Sequence, residues 1–204
     1  MFRNAPASAW SPGALSKTAY VPEAEAPSVL LTVGDGDTDA FTYFGFTRAA
    51  ARTSAEVPAL VQRHRPAVAF VDADAPHVDA EACCRAANAH GLEVAVLVTC
   101  RAPQQVPALL IAGAHAILLK PFAPNLLAGR LGRLVREHTE HRRLSGWRND
   151  APFASHLIRR WADVCCPTCQ EPNATAFDFT SHRRAWFACL ACAHVWIDAR
   201  REPV

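Results

Sequence analysis

Residues 66–80 read Pro-Ala-Val-Ala-Phe-Val-Asp-Ala-Asp-Ala-Pro-His-Val-Asp-Ala, and most of the architecture can be inferred outward from this run. The apolar residues at 67–71 predict a short strand that is buried on both of its faces. Asp72 ends the strand, and residues 79–90 have the composition of a helix that Gly91 closes. A strand without a polar face, followed by a helix, is typical of a parallel sheet with helices on both sides.

The same alternation continues in both directions along the chain. Further strands are predicted at 29–33, 93–98 and 116–119, with a weaker candidate at 46–51. Helices are predicted at 54–65, near 106–112, and from about Asn125 onward. This order predicts an α/β domain with a doubly wound, five-stranded parallel sheet.

Polar residues stand at the ends of four of the predicted strands, with Asp72, Thr99 and Lys120 directly after a strand and Asp35 one residue further on. The carboxyl ends of parallel strands meet at one edge of a sheet, where the functional groups of such folds collect. We therefore expect these side chains to form a single site.

These residues resemble those of bacterial response-regulator receiver domains, in particular the chemotaxis-regulator type. The resemblance covers residues 28–140, and the spans that carry it are 29–35, 66–80, 94–100 and 113–127. Asp72 with Pro76 four residues later resembles the family's phosphoacceptor run, and Lys120-Pro121-Phe122 resembles its Lys-Pro signature. The fold implied by this resemblance is flavodoxin-like.

The resemblance also implies roles for the site residues. Asp72 would accept a phosphoryl group, Thr99 would supply a hydroxyl, and Lys120 would supply a fixed positive charge. Mg²⁺ would be held by carboxylates, for which the candidates are Asp35, Asp37 and Asp74. The implied partner is a histidine kinase or a phosphotransfer protein.

The sequence departs from the family pattern at four places, one of which is Asp74, an additional carboxylate two residues after Asp72. Gly34 stands where the family usually has a second acid, and Ile117 stands where it has the aromatic side chain of its switch. Few residues separate Asp35 from the second strand, so the first helix is expected to be shortened to a turn or two at 39–45. These departures predict a divergent receiver that works mainly through protein contacts.

Four cysteines later in the chain form the strongest single pattern. Cys166 and Cys169 make one Cys-x-x-Cys pair, Cys189 and Cys192 make another, and 19 residues separate the two pairs. Each pair suits a turn that brings two thiolates onto one ion, which predicts a structural four-sulfur Zn²⁺ site. With hairpin strands predicted at 176–179, 185–187 and 195–197, the span resembles a zinc ribbon. A rubredoxin-like iron site and a redox dithiol pair are the alternatives.

Candidate contact residues lie in the ribbon and in the helix before it. Basic and aromatic side chains at Arg183, Arg184 and Trp186 fit a nucleic-acid surface and a protein-binding surface equally well. The long helix has Arg130, Arg133 and Arg136 opposite its apolar face. In receiver proteins this helix commonly contributes to a dimer surface, so a homodimer is among the assemblies that the resemblance implies.

Four segments follow from these patterns. They are a flexible leader at 1–27, a receiver-like domain at 28–144, a linker with a short helix at 145–163, and the zinc ribbon, a small β domain, at 164–204. Charge follows this division, since residues 1–129 carry a net charge of −2 and residues 130–204 carry +4. The overall charge of +2 therefore describes neither part.

Composition excludes several classes of protein. Half of the 204 residues are hydrophobic, which is too many for wholesale disorder. No apolar stretch approaches the ~20 residues of a membrane span, and the first residues lack the apolar core of a secretory signal. We therefore expect a cytoplasmic protein without membrane contact, in which paired cysteines bind metal. No nucleophile-base motif or phosphate-binding loop is recognisable, so an independent enzyme is not expected.

The leading hypothesis is a two-component response regulator, divergent in detail, whose ribbon provides the output. The first alternative is a phosphorylation-independent adaptor that uses the receiver fold and the ribbon as docking surfaces. The second is a zinc-ribbon transcription regulator, which the lack of a recognisable helix-turn-helix makes less favoured.

Overall fold

The computed structural model describes residues 29–34, 46–89, 94–145, 158–161, 164–172, 174–181 and 184–199. Predictions that concern the leader at 1–27, Asp35, Asp37, the shortened helix at 39–45 and Arg183 lie outside these residues.

The described residues form two sheets and four α-helices. The larger sheet contains β1 (Val29–Val33), β2 (Thr47–Ala51), β3 (Val68–Asp72), β4 (Ala95–Cys100) and β5 (Ala116–Leu119). The helices are α1 (Val57–His64), α2 (Ala80–Asn88), α3 (Val106–Ile111) and α4 (Pro124–Ser145). The smaller sheet contains β6 (Arg159–Trp161), β7 (Ala174–Ser181), β8 (Arg184–Ala188) and β9 (Val195–Ala199).

The larger sheet has the predicted topology. Its strands lie in the order β2-β1-β3-β4-β5, and every neighbouring pair is parallel. This is the strand order of flavodoxin-like, doubly wound folds, which places β1 and β3 at the switch point of the sheet. The predicted five-stranded α/β fold is confirmed.

Helices cover both faces of this sheet because its central strands have no polar face. All residues of β3 and β4 are buried. Helices α1, α2 and α3 pack on one face, and α4 packs on the other through its buried residues Leu127, Leu131 and Leu134. The expected solvent-facing position of Arg130 is wrong, because this residue is buried among the residues of α4 that approach the sheet.

The smaller sheet is antiparallel, with the order β6-β7-β8-β9. Its hairpins confirm the strands predicted between and after the cysteine pairs. The short helix predicted within 145–163 is wrong for Arg159–Trp161, which pair with β7 as an edge strand. A helix of this length gains little by itself, whereas an extended backbone here satisfies the hydrogen-bonding groups of β7.

The two sheets share one apolar core. Strand β7 lies alongside β5 without forming a hydrogen-bonded ladder with it. Phe177 of β7 and Ala188 of β8 are completely buried, and they belong to the same apolar cluster as Ile117 of β5 and the residues of α1 to α3. The smaller sheet therefore covers the flank of β5 with one of its faces. We call this contact the β5–β7 interface.

Candidate functional site

Three of the predicted site residues meet at the carboxyl edge of the larger sheet. Asp72 is the last residue of β3, Thr99 is its register partner in β4, and Lys120 directly follows β5. Two backbone hydrogen bonds continue beyond the strands and align these ends. The amide of Ala73 donates to the carbonyl of Thr99 at 2.9 Å, and that of Lys120 donates to the carbonyl of Cys100 at 2.9 Å.

Lys120 bridges two carboxylates. Its Nζ donates to Oδ1 of Asp72 at 2.5 Å and lies 3.0 Å from Oδ2 of Asp74. Burial alone would lower the pKa of Lys120, but the hydrogen bonds and negative charges of Asp72 and Asp74 outweigh burial and raise it. Lys120 therefore stays charged and holds its ammonium group against the Asp72 carboxylate.

Thr99 presents a hydroxyl that has no partner among the described residues. The residue is completely buried, and no described donor or acceptor lies within hydrogen-bonding distance of its Oγ1. A buried polar atom without a partner costs about 1–3 kcal/mol, so such atoms call for an explanation. Its place beside Asp72 in the sheet register suits a hydroxyl that becomes bonded when an anion enters the site.

Asp74 also faces this group, as the sequence predicts for a candidate Mg²⁺ ligand. Its backbone amide donates to Oδ1 of Asp72 at 3.0 Å, and its own Oδ1 accepts from the amide of Arg101 at 3.2 Å. The turn after β3 thus fixes two carboxylates beside one ammonium group. Carboxylate oxygens suit Mg²⁺, so the chemistry of these donors fits the expected ion.

Gly34 stands where the resemblance to receiver domains implies a second acid. Its φ is +93°, and a Cβ built there would lie 2.6 Å from the Cβ of Ala75. A contact this short excludes any side chain, and only glycine adopts this φ without strain. An acid at this position would require the turn that holds Asp74 to move.

Ile117 stands where the resemblance to receiver domains implies a switch aromatic. It is completely buried in the apolar cluster that includes Phe177. An exposed aromatic that swings between two positions therefore has no counterpart here.

The four predicted cysteines come together in the smaller domain. The Sγ atoms of Cys166 and Cys192 lie 3.6 Å apart, as do those of Cys169 and Cys189, and all four lie within 4.8 Å of one another. Zn–S bonds of 2.3 Å in a tetrahedron place the sulfurs about 3.8 Å apart, whereas a disulfide would need about 2.05 Å. The geometry fits one tetrahedral ion with a closed ligand set.

Two tight turns present these thiols, and their backbone was not predicted from the sequence. Each Cys-x-x-Cys pair is followed by a left-handed residue that is not glycine, Gln170 with φ +61° and Ala193 with φ +58°. In the first turn, Thr168 directs its amide at Sγ of Cys166 at 3.4 Å. Burial raises the pKa of Cys166, but hydrogen bonds from backbone amides and from the neighbouring thiols more than offset it and lower the pKa to about 7. The same contacts between thiols raise the pKa of Cys169 and Cys192. Neither Gln170 nor Ala193 is a glycine, so the sequence does not indicate that these two positions adopt a left-handed backbone conformation.

Of the candidate contact residues of the ribbon, the structure describes Trp186 and the backbone of Arg184. Trp186 is half-buried and packs against the cluster shared with the larger sheet, with its ring 6.4 Å from that of Phe177. Arg184 begins β8, opposite Ala199 of β9. Trp186 therefore contributes to the β5–β7 interface.

Comparison with solved structures identifies the fold of the N-terminal part. A signal receiver domain of an HD domain-containing protein from Pseudomonas fluorescens Pf-5 is 14% identical, with a TM-score of 0.54 over 60% of this chain and 97% of that one. A CheY-like response regulator receiver domain protein from Methanospirillum hungatei JF-1 is 18% identical, with a TM-score of 0.51 over 57% and 99% of the two chains. The N-terminal part of this chain thus has the fold of response-regulator receiver domains.

Sequence comparisons give no closer relation. No protein-family model matches the chain, and the search of curated proteins found no match. Within the part of the chain that the structure describes, no helix has the length and apolar character needed to cross a membrane.

Proposed function

We propose that this chain is a divergent response regulator of the two-component type, which accepts a phosphoryl group on Asp72. The observation that carries the proposal is the arrangement of Asp72, Lys120 and the unpartnered hydroxyl of Thr99 on three neighbouring strand ends. The receiver fold agrees with this function, but the proposal rests on the residues of the site, because one fold supports many functions.

The arrangement suits attack of a carboxylate on phosphorus. An oxygen of Asp72 would form the new P–O bond while the bond between phosphorus and its donor, a phosphohistidine or an acyl phosphate, breaks and the donor leaves with the electron pair. Lys120 would neutralise charge on the transferred oxygens, and Thr99 would donate its hydroxyl to one of them. Mg²⁺ bound near Asp72 and Asp74 would neutralise further charge, with Asp35 and Asp37 as further candidate ligands.

Labelling with a small phosphodonor tests this function. Incubation with Mg²⁺ and a radiolabelled acyl phosphate should add an acid-stable, base-labile label to the wild type and none to Asp72→Asn. Asp79→Asn is the matched control, because Asp79 caps α2 by accepting from the amide of Ala82 at 2.9 Å, away from the Lys120 contact. An unlabelled wild type, or equal labelling of Asp72→Asn, would refute the proposal.

The four cysteines are proposed to hold one structural Zn²⁺. A unit of about forty residues buries too little apolar surface to fold by itself, so metal binding would supply folding free energy. Elemental analysis of the purified chain should find about one zinc per chain. Iron, or no metal in wild type that has been purified without chelator, would contradict the assignment.

An adaptor that never carries phosphate is the second candidate. It is favoured by Gly34, which leaves no room for the usual second acid, and by the buried Ile117 in place of a switch aromatic. In the leading proposal a cytoplasmic histidine kinase or phosphotransfer protein loads Asp72, and the ribbon or α4 contacts a protein target, a nucleic acid or a second copy of the chain. An adaptor would instead bind its protein target equally well as wild type and as Asp72→Asn.

A further inference from the structure

The β5–β7 interface joins the two candidate centres through a very short path. β5 ends at Leu119, and the next residue is Lys120, whose ammonium group bridges Asp72 and Asp74. On the other side, Ala188 of the shared core directly precedes Cys189, one of the four thiols. Lys120 and Cys189 are thus each adjacent in sequence to the last residue of a strand that contributes to the shared core.

The strand register defines which face of the smaller sheet meets the receiver unit, by which we mean the larger sheet with its helices α1 to α4. Trp186 and Ala188 of β8 pair with Ile197 and Val195 of β9, so these residues lie on one face. Trp186, Ala188 and Val195 pack with the receiver core, while Phe187 and Trp196 belong to a separate small cluster on the opposite face. One face of the smaller sheet therefore packs against the receiver unit, and the other face packs in the ribbon's own core.

The ribbon's own core is small. Its buried members are Val164, Ala174, Ala176, Ala185 and Phe187, three of which are alanines. So little apolar surface cannot offset the conformational entropy of the residues that it orders. The arrangement of Phe177 and Ala188 against β5 therefore depends on the four thiols being held together.

We propose that metal occupancy of the four-cysteine centre controls the Asp72–Lys120 site through the β5–β7 interface. With metal bound, the ribbon holds the flank of β5 and fixes Lys120 against both carboxylates. Loss of the metal frees Phe177 from the core and loosens β5 and Lys120. Oxidation by hydrogen peroxide has the same effect, because each pair of thiols becomes a disulfide by giving two electrons and two protons to one peroxide, which is reduced to two waters. Because coupling between two sites is reciprocal, an anion bound beside Lys120 also strengthens metal binding. The inference rests on the metal centre and acceptor site proposed above and assigns metal-dependent regulation to that site.

Reactivity of Lys120 provides a readout that does not require phosphorylation. The chain contains only two lysines, Lys17 and Lys120, so acetylation of Lys120 by an acylating reagent can be normalised to Lys17 in the same molecule by mass spectrometry. The side chain of Lys120 is only 20% exposed and paired with two carboxylates, which slows its reaction. Asp74→Ala removes one of these carboxylates and shows that the assay responds to the site.

The experiment compares full-length chain with and without metal, and with the interface weakened. Removal of zinc by chelation should raise the Lys120-to-Lys17 ratio roughly fivefold or more, the lower end of couplings between sites in one protein. Phe177→Ala should raise it similarly while zinc stays bound. Ile197→Ala is the matched control, since this residue lies on the same face but is 45% exposed, and it should leave the ratio unchanged. Circular dichroism checks folding, and Phe177→Leu replaces the alanine variant if helical signal is lost.

The outcomes separate this coupling from the proposed function. An unchanged ratio after zinc removal, in an assay that responds to Asp74→Ala, overturns the coupling whether or not Asp72 accepts phosphate. A chain that binds no zinc overturns the metal centre and the coupling together. A raised ratio in a chain that never accepts a phosphoryl group supports the coupling and refutes only the acceptor role of Asp72.

Discussion

The hydroxyl of Thr99 lowers stability in the structure described, although we propose that it acts in phosphoryl transfer. The hydroxyl of this residue is buried with no partner in the described part of the chain, so the folded protein bears the cost of desolvating that group. Its methyl group and β-branched shape suit a strand, and valine keeps both. The resting structure therefore gains nothing from the oxygen atom.

We expect Thr99→Val to keep or increase stability while it slows phosphoryl transfer. The free energy of unfolding should rise by up to about 1 kcal/mol, because an unpaired hydroxyl is removed. Labelling by a phosphodonor should slow, because the donor to the phosphoryl oxygen is gone. Urea unfolding and the rate of label uptake measure the two effects. A stability loss above about 2 kcal/mol would show that the hydroxyl is bonded in the resting protein.

His115 is a second residue whose environment sets a measurable property. Its Nδ1 accepts from the amide of Val96 at 3.1 Å. Burial, and then the charge of His138, lower the pKa of His115 from 6.5 to about 4. The unfolded chain therefore binds a proton that the folded chain rejects between these two values.

Stability should fall as the pH drops from 6.5 toward 4, with His115 contributing up to about 1.4 kcal/mol per pH unit. This contribution is fully present above pH 6.5 and is lost as the pH falls. In His115→Asn, whose Oδ1 can accept the same amide, this part of the pH dependence should vanish. Urea unfolding at pH 7 and pH 5 measures the difference. Equal losses in wild type and variant would contradict the assignment.

Gly34 and Gly129 differ in whether the position can accept a side chain. Gly34 directly follows β1, with a positive φ and no space for a Cβ, whereas Gly129 lies within α4, where no described atom lies within 4 Å of the position that a Cβ would take. The same substitution should therefore have opposite effects at the two positions.

Gly34→Ala should lower the free energy of unfolding by at least about 1 kcal/mol, because both the clash and the backbone strain act against it. Gly129→Ala should raise it by up to about 1 kcal/mol, because alanine favours the helix. Chemical unfolding of both variants beside the wild type is sufficient. A stabilised Gly34→Ala variant would mean that the turn after β1 differs from the one described.

Elements that depend on local pattern were predicted well, and those that depend on distant pairing were not. Continuous apolar runs identified β3 and β4, and apolar spacing identified the buried face of α4. The strand at Arg159–Trp161 was missed because only its pairing with β7 makes it a strand. Spacing was enough to select the four cysteines, whereas the left-handed turns at Gln170 and Ala193 carry no glycine that would have indicated them.

At the scale of the whole molecule, the two units that the sequence indicates share one apolar core. Charge and cysteine content divide the chain, but apolar contacts join it, since Phe177 and Ala188 complete the core beside β5. No periodic pattern in the sequence could have indicated this, because which sheet face an apolar residue meets depends on how the units dock. Trp186, which the sequence offers as a nucleic-acid or partner contact, packs in this interface.

A chain shortened after Ser145 should therefore be less stable than the full chain. Its β5 would lose the cover of β7 and expose apolar surface around Ile117. The loss of one buried phenylalanine and its neighbours corresponds to at least about 2 kcal/mol. Thermal unfolding and light scattering compare the two chains. Equal stability of the shortened chain would show that the interface contributes nothing to the receiver unit.

The shared core has a consequence for synthesis on the ribosome. Lys120 emerges long before Cys192, and at about 5–20 residues per second the interval lasts roughly 4–14 s. During that interval the nascent receiver unit has its five strands but lacks the cover beside β5. If the four cysteines hold zinc as proposed, its completion waits for the last cysteine and for that ion, and zinc supply would then limit how quickly newly made chains escape chaperones and proteases.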